Sequence, residues 1–282
     1  MRGLPTNAQF PDVALGDSRQ SRQQARQRAI CDAVMAEGAI RIEQVAERFG
    51  ISVMTAHRDL DELEGRGLLR KNRGVASAMS TAVVESSDVY RASRQFAEKA
   101  AIAHAALEFV EPGQAIMIDD STTSLRLAEQ LGSKSPLTVI TNCLTVIDAV
   151  RGVRGITLLG LGGDYYNWCS AFMGRLTTAA IRELRADVFV MSTSAISDDI
   201  AFHQTQETVD VKRAMFESSS KRILLADHTK FDHRALHAML PLADFDAIIV
   251  DYGIDRAHVS RLRNAGCTVV VAKRPASTPS DS

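Results

Sequence analysis

The 282-residue sequence has only four cysteines, Cys31, Cys143, Cys169 and Cys267, and no C-x-x-C pair among them. A disulfide framework is thereby excluded, and nothing indicates a zinc knuckle. No apolar run approaches the ~20 residues that a membrane-spanning helix needs, and residues 1–10 lack the apolar core of a secretory signal. Neither a Gly-x-Ser-x-Gly elbow nor a Walker loop occurs, and Gly160-Leu161-Gly162-Gly163 does not complete a Gly-x-Gly-x-x-Gly fingerprint. Lysine is scarce, 7 residues in the 33 basic ones, so each lysine beside a candidate loop carries weight. What remains is 45% hydrophobic and 24% charged, the balance of a soluble globular chain of about two domains. A cytoplasmic protein with no membrane partner is expected.

A formal net charge of −1 argues against a nucleic-acid partner only if charge is spread evenly, and it is not. Residues 19–28 hold four arginines and no acid, and residues 66–73 hold three arginines and Lys71, again with no acid. Asp59, Asp61, Glu62 and Glu64 lie between them. A local basic stripe can bind phosphate on a molecule that is acidic elsewhere. Two ordinary solvated faces would show the same charges, so pattern must decide.

The pattern between 21 and 78 is helical. Ile30, Val34 and Met35 give a first helix an apolar face that stops near Gly38, and Ile42, Val45, Ala46 and Phe49 give a short second helix ended by Gly50. Ser52 is a good N-cap for a third helix carrying Met54, Ala56, Leu60 and Leu63, which Gly67 closes. Residues 68–71 read as a strand that turns at Gly74 into a second. Three small helices and a two-stranded ribbon make a winged helix-turn-helix. From about 98 the rhythm changes: apolar runs at 115–118, 137–140, 156–159, 188–191, 223–226, 247–250 and 268–272 are mostly separated by helix-length segments. That alternation predicts a mostly parallel sheet covered on both faces, an α/β domain. The expected organisation is a flexible tail at 1–20, the winged helix-turn-helix at 21–78, a linker at 79–97, the α/β domain at 98–274 and a second tail at 275–282.

Polar or glycine-bearing loops follow five of the strands: Asp119-Asp120-Ser121-Thr122-Thr123, Thr141-Asn142, Gly160-Leu161-Gly162-Gly163, Ser192-Thr193-Ser194 and Asp227-His228-Thr229-Lys230. Open α/β sheets bind ligands at the carboxyl ends of their strands, and the hydroxyls and free N–H groups of the Ser-Thr-Thr loop suit a phosphate. Each has a plainer explanation, since a serine after a strand often only caps a helix. His233 and His237, four apart, read as a solvated helix face rather than a zinc pair, and His203 near Glu207 is ambiguous.

Residues 28–74 resemble the deoxyribose-operon-repressor (DeoR) family of bacterial transcription regulators. The resemblance is carried by Gln44-Val45-Ala46-Glu47-Arg48-Phe49-Gly50-Ile51-Ser52, then Thr55, Arg58-Asp59-Leu60, Leu63, Gly67 and Arg70. The family usually has a second arginine where His57 stands, and His-Gly-Gly where this chain has Asn72-Arg73-Gly74. The second domain is similar to that family's sensor at Lys99-x-x-Ile102-Ala103, Asp119-x-Ser121-Thr122-Thr123, Thr141-Asn142, Gly162-Gly163, Glu207 with Val211-Lys212, and 227–231. The resemblance implies a fold like ribose-5-phosphate isomerase and a phosphorylated sugar or sugar derivative as effector. It implies Ser121, Thr122 and Thr123 at the phosphate. Asp119, Thr141, Asn142, Gly162, Gly163, Glu207, Lys212 and Lys230 would surround the rest of the ligand. On the DNA side, Ser52, Thr55, His57 and Arg58 on the third helix, with Arg70, Lys71 and Arg73 on the ribbon, would meet a double-stranded operator. The expectation is therefore a ligand-controlled regulator, a repressor of carbohydrate or polyol catabolism genes, acting as a homo-oligomer without metal, cofactor or catalytic residues. The alternative is a sugar-phosphate isomerase-like enzyme with an appended helical domain. Activation in place of repression also fits the sequence.

Overall fold

Helix α1 (Arg19–Glu37) opens the computed structural model, which describes residues 19–65, 68–78 and 88–274. The expected tails lie outside the described residues, except that 19 and 20 begin α1. Its Ile30, Cys31, Ala33 and Val34 face inward at helical spacing, against α2 (Ile42–Arg48) and α3 (Val53–Gly65). Leu68, Leu69 and Ala76 close this small core. The ribbon has three strands, β1 (Ala39–Arg41), β2 (Leu69–Asn72) and β3 (Val75–Ala78), in the antiparallel order β1-β3-β2. The sequence reading lacked β1, because three residues are too few to show an alternation. Between β2 and β3 runs a two-residue turn with φ +46° at Arg73 and +80° at Gly74, the geometry that matches strand twist in tight hairpins. The expected Gly67 stop lies outside the described residues.

A short helix, α4 (Asp88–Ser93), stands in the stretch read as linker, and α5 (Phe96–Ala106) follows it. The second domain is built on seven parallel strands: β4 (Ala115–Ile118), β5 (Leu137–Thr141), β6 (Ile156–Gly160), β9 (Ala186–Ser192), β12 (Ser219–Ala226), β14 (Ala247–Val250) and β15 (Val269–Val271). Their order is β15-β14-β12-β9-β4-β5-β6. The apolar runs are continuous because both faces are covered. Ile116, Ile118, Val188, Val190, Ile223 and Leu225 pack under α5, α6 (Thr122–Ala128) and α7 (Leu144–Val150). Met117, Phe189, Met191, Leu224 and Ala226 face α8 (Arg175–Arg182), α9 (Gln206–Glu217) and α10 (Arg256–Asn264).

Two antiparallel additions, five short strands in all, go beyond the expected parallel sheet. One is the hairpin β7 (Asp164–Tyr166) with β8 (Ala171–Met173). The other is a sheet of β10 (Ala195–Ser197), β11 (Ile200–His203) and β13 (His237–Pro241). His237 opens β13 and His233 lies in the loop before it, so the helix face expected for that pair does not exist. No group of histidine, cysteine or acidic residues suited to a metal is found among the described residues. No helix among them is long and apolar enough to cross a membrane.

The chain enters the sheet at β4, runs outward through β5 and β6, then returns to β9 on the other side of β4. The connections leaving β4 and β9 therefore diverge, and a crevice opens between them at the strand ends. This topology places the site.

Candidate functional site

The exposed side of α3 is set by what its other side buries. Ala56, Leu60 and Leu63 are in the core, and Asp59 is buried beside them. Asp59 is held by Arg26 at 2.6 Å and by Gln27 at 3.1 Å, while Glu62 takes Gln23 and Gln27. These two acids are thereby turned from the outer face, which carries Met54, Arg58 and Asp61. Ser52 Oγ accepts the Thr55 N–H at 3.2 Å and pairs with Thr55 Oγ1 at 2.8 Å, so both hydroxyls serve the helix start. His57 is half-buried and Arg58 exposed. On the ribbon, Arg70 and Arg73 are exposed, whereas the Lys71 ammonium pairs with Asp61. The two domains meet at this end: Asn167 Nδ2, between β7 and β8, donates to Gly65 O at 2.9 Å, and Arg94 lies 3.7 Å from Asp32 of α1.

In the crevice, Asp119 is a hub. Its Oδ1 accepts the Ser121 N–H and hydroxyl, and its Oδ2 accepts the Ser192 N–H at 2.9 Å and Lys212 Nζ at 2.5 Å. Lys212 also lies 3.4 Å from Asp120, whose other oxygen is 3.8 Å from Arg91 of α4. Burial works against the Lys212 charge, but Asp119 and Asp120 outweigh it and hold its pKa above the usual lysine value. Ser121 caps α6 through the Ser124 N–H. Thr122 Oγ1 instead accepts Lys99 Nζ at 3.1 Å, and the same ammonium donates to Arg91 O. Lys99 is 4% exposed, and among the described residues no carboxylate makes a direct bond to it, Asp227 acting only through space. Burial first, then Lys230, lowers its pKa to about 7.

A cavity of about 210 Å³ opens above this group, lined by Arg91, Arg94, Lys99, Ser194, Gln204, Asp227, Thr229, Lys230 and His233. It is smaller than the ~300–1,000 Å³ of drug-sized sites and suits a compact ligand. Arg91, Lys99, Ser194 and Lys230 also belong to the narrow inner cleft with Ser121, Thr122, Thr123, Ser192, Thr193, His203 and Lys212. Asp120 Oδ2, Asn142 Oδ1, His203 Nδ1 and Asp227 Oδ2 are buried without a hydrogen bond. Buried polar atoms are usually satisfied, and three of these, Asp120 and Asp227 in strand-end loops and His203 at the end of β11, lie around the crevice where a polar guest could meet them. His203 is driven well below its ordinary pKa by burial and by Lys212, so it faces the cleft neutral. Lys230 and other donors outweigh burial and hold the Asp227 carboxyl below its ordinary value.

The structure gathers Asp119, Ser121, Thr122, Thr123, Lys212 and Lys230 at this crevice and places other expected residues elsewhere. Thr141 Oγ1 accepts the Cys143 N–H, and Asn142 Nδ2 donates to Phe172 O at 2.7 Å, so both brace β8 against the loop. Gly162 O accepts Thr177 Oγ1 at 2.8 Å, and a Cβ on Gly163 would stand 2.0 Å from that hydroxyl. The absent side chain of Gly163 thus lets α8 close on this loop. Glu207 is exposed and lines a separate groove with Arg175 and Arg213. It lies five residues before Lys212, about 140° around the helix at ~100° per residue, so the two point to opposite sides. Arg91 and the site role of Lys99 escaped the sequence reading.

Comparison with known proteins agrees with the geometry. Residues 26–82 match the DeoR-like helix-turn-helix domain, and residues 94–252 match the DeoR C terminal sensor domain. The transcriptional repressor AccR of Agrobacterium fabrum is 33% identical over 82% of this chain and 90% of its own length. The lactose phosphotransferase system repressor of Lactococcus lactis is 32% identical over 82% of this chain and 91% of its own. Ribose 5-phosphate isomerase from Methanocaldococcus jannaschii shares 13% identity over 47% of this chain and 53% of its own, at a TM-score of 0.35, a likeness that says nothing about chemistry. Both repressors match across helix-turn-helix and sensor together, which removes the isomerase alternative. With both of its domains accounted for, the chain belongs to the DeoR family of DNA-binding transcriptional regulators.

Proposed function

We propose that this regulator is a cytoplasmic repressor of genes for carbohydrate or polyol catabolism. Its effector is a phosphorylated sugar or sugar derivative held at the crevice between β4 and β9. The observation that carries the ligand class is Lys99, a buried lysine with no direct carboxylate bond among the described residues, flanked by Lys230 and bonded to Thr122. A phosphate there would give that ammonium a direct, charge-assisted hydrogen bond, where Asp227 acts on it only through space. Thr122, Thr123, Lys99, Arg91 and Lys230 are the anion-side residues of this reading. Gln204, Thr229 and His233 stand where a sugar's hydroxyls would reach. The names of the relatives support the gene class, one of them being a lactose phosphotransferase system repressor.

Arg91 links this site to the DNA-binding half. It sits on α4, three residues before the Arg94 that approaches Asp32 of α1. An anion that draws Arg91 from Asp120 would move α4 and shift the balance between two domain arrangements, which is all a regulator requires. Paired half-sites make a homo-oligomer the expected binding form. The test is calorimetry and operator release with a phosphorylated sugar and its unphosphorylated parent. Tighter binding and release by the phosphorylated member alone supports the reading, and equal affinity for both refutes it.

A further inference from the structure

The first turn of α3 spends exposed surface on carbon and sulfur. Met54 is 73% exposed, on the side opposite Ala56, Leu60 and Leu63, and Val53, 45% exposed, stands beside it as the first residue of the helix. Single exposed apolar residues need no explanation, but these two are adjacent at the helix start, and Met54 shares a face with Arg58 and Asp61, on the helix that enters DNA in this family. The hydrogen-bonding groups around them are already committed. The Ser52 and Thr55 hydroxyls bond each other and the Thr55 N–H. Asp61 pairs with Lys71. The leading end of the recognition helix thus presents one apolar step, followed by the Arg58 guanidinium one turn later.

In the major groove only thymine offers an apolar group, its C5-methyl; every other edge there is a hydrogen-bond donor or acceptor. An apolar side chain pressed against those edges would strip water from them and return no bond. We infer that Met54 and Val53 are specificity-determining residues that read thymine methyl groups. Each operator half-site therefore carries one or two thymines beside the base pair met by Arg58. The occupant is duplex DNA rather than protein because exposed Arg58 follows one turn after Met54 and exposed Arg70 and Arg73 stand on the ribbon of the same domain, charges that match phosphate. This inference rests on the DNA-binding reading and says which atoms that reading uses.

The test first enriches a binding duplex from a random pool with the full-length protein. Each thymine is then replaced in turn by deoxyuridine, which deletes the methyl and keeps the base pair. Removing one methyl contact is expected to weaken wild-type binding about three- to tenfold at one or two positions per half-site. Met54→Ala and Val53→Ala should lose affinity on the thymine duplex and become indifferent to deoxyuridine at those same positions. Alanine favours helix at both sites, and the thermal melt checks that the fold is kept. Failure to enrich any duplex removes the DNA-binding reading and this one with it. An enriched duplex with no deoxyuridine effect, or with the same effect in wild type and both variants, overturns only the methyl assignment. So does a Met54→Ala protein that binds DNA normally but changes its oligomeric state, because the step would then cover a second copy of the chain.

Discussion

Lys99 Nζ and Thr122 Oγ1 lie 3.1 Å apart, one from α5 and the other from the first turn of α6, and together they floor the proposed anion site. Around them Arg91, Lys99, Lys212 and Lys230 face Asp119, Asp120 and Asp227, so the Lys99 proton decides whether this group is neutral or carries one positive charge. With its pKa lowered to about 7, that proton is partly lost near neutrality. A bound phosphate stabilises the charged lysine and raises its pKa again. Binding should therefore take up a proton between pH 7.5 and 8.5, where a phosphate monoester is already doubly ionised (second pKa ~6). Affinity should fall as pH rises through this range, by up to about tenfold per unit. Calorimetry in two buffers of different ionisation enthalpy measures the uptake. Lys99→Met should abolish it, and equal heats in both buffers for the wild type would refute the placement.

The neighbouring hydroxyls should separate into two roles. Thr122→Val keeps the volume but removes the oxygen that Lys99 meets, and should cost ~1–3 kcal/mol of effector affinity, up to roughly a hundredfold. Ser121→Ala removes the cap that accepts the Ser124 N–H. It should cost ~1 kcal/mol of stability and leave affinity nearly unchanged. A denaturant titration beside a binding isotherm distinguishes the two.

On the DNA face, Arg58 and Lys71 should differ in kind. Arg58→Ala should lose ~1–3 kcal/mol on the specific operator and much less on unrelated duplex. Lys71→Ala should weaken all sequences alike and lower the salt slope by about one, because it removes one positive charge from the ribbon and uncovers Asp61. Mobility-shift titrations at several salt concentrations on both duplexes check this pair.

Arg73 holds φ at +46° in the hairpin turn, where a side chain costs about 1–2 kcal/mol relative to glycine. Arg73→Gly should therefore raise the melting temperature of the protein while weakening operator binding. A variant that gains neither stability nor a binding defect would show that the turn relaxes and that the arginine does not touch DNA.

The sequence shows the parallel sheet plainly because burial on both faces makes each strand a continuous apolar run, as in 188–191 and 223–226. It shows the three N-terminal helices because Ala56, Leu60 and Leu63 repeat at helical spacing. The strands β1, β7, β8, β10 and β11 were illegible, since three or four residues with exposed members such as Asp164 and Ser197 carry no readable period. Helix phase explains the uneven result at the site. Lys212 and Glu207 look alike on a line of sequence, yet α9 buries one and exposes the other. Lys99 stands among Ala100, Ala101 and Ile102, a setting in which a lone lysine reads as an exposed residue of an apolar helix. Only its neighbour across the crevice, 23 positions on in the chain, reveals its direction.

The hydrogen bond from Asn167 to Gly65 grips α3 at its last residue. The same hairpin is tied to the start of α4, where Trp168 O accepts the Asp88 N–H and Ser170 Oγ donates to the Asp88 carboxylate. Met54 lies 11 residues away along α3, about 16 Å at ~1.5 Å per residue. Because Ala56, Leu60 and Leu63 pack α3 into the core of its domain, that domain would turn with the helix as one lever about this grip, with the proposed DNA-reading tip at the far end. A tilt of about 10° about Gly65 would sweep that tip by ~3 Å, roughly the length of one hydrogen bond. Small adjustments of the hairpin would thus be magnified at the DNA end, where a displacement of that size separates a made contact from a lost one.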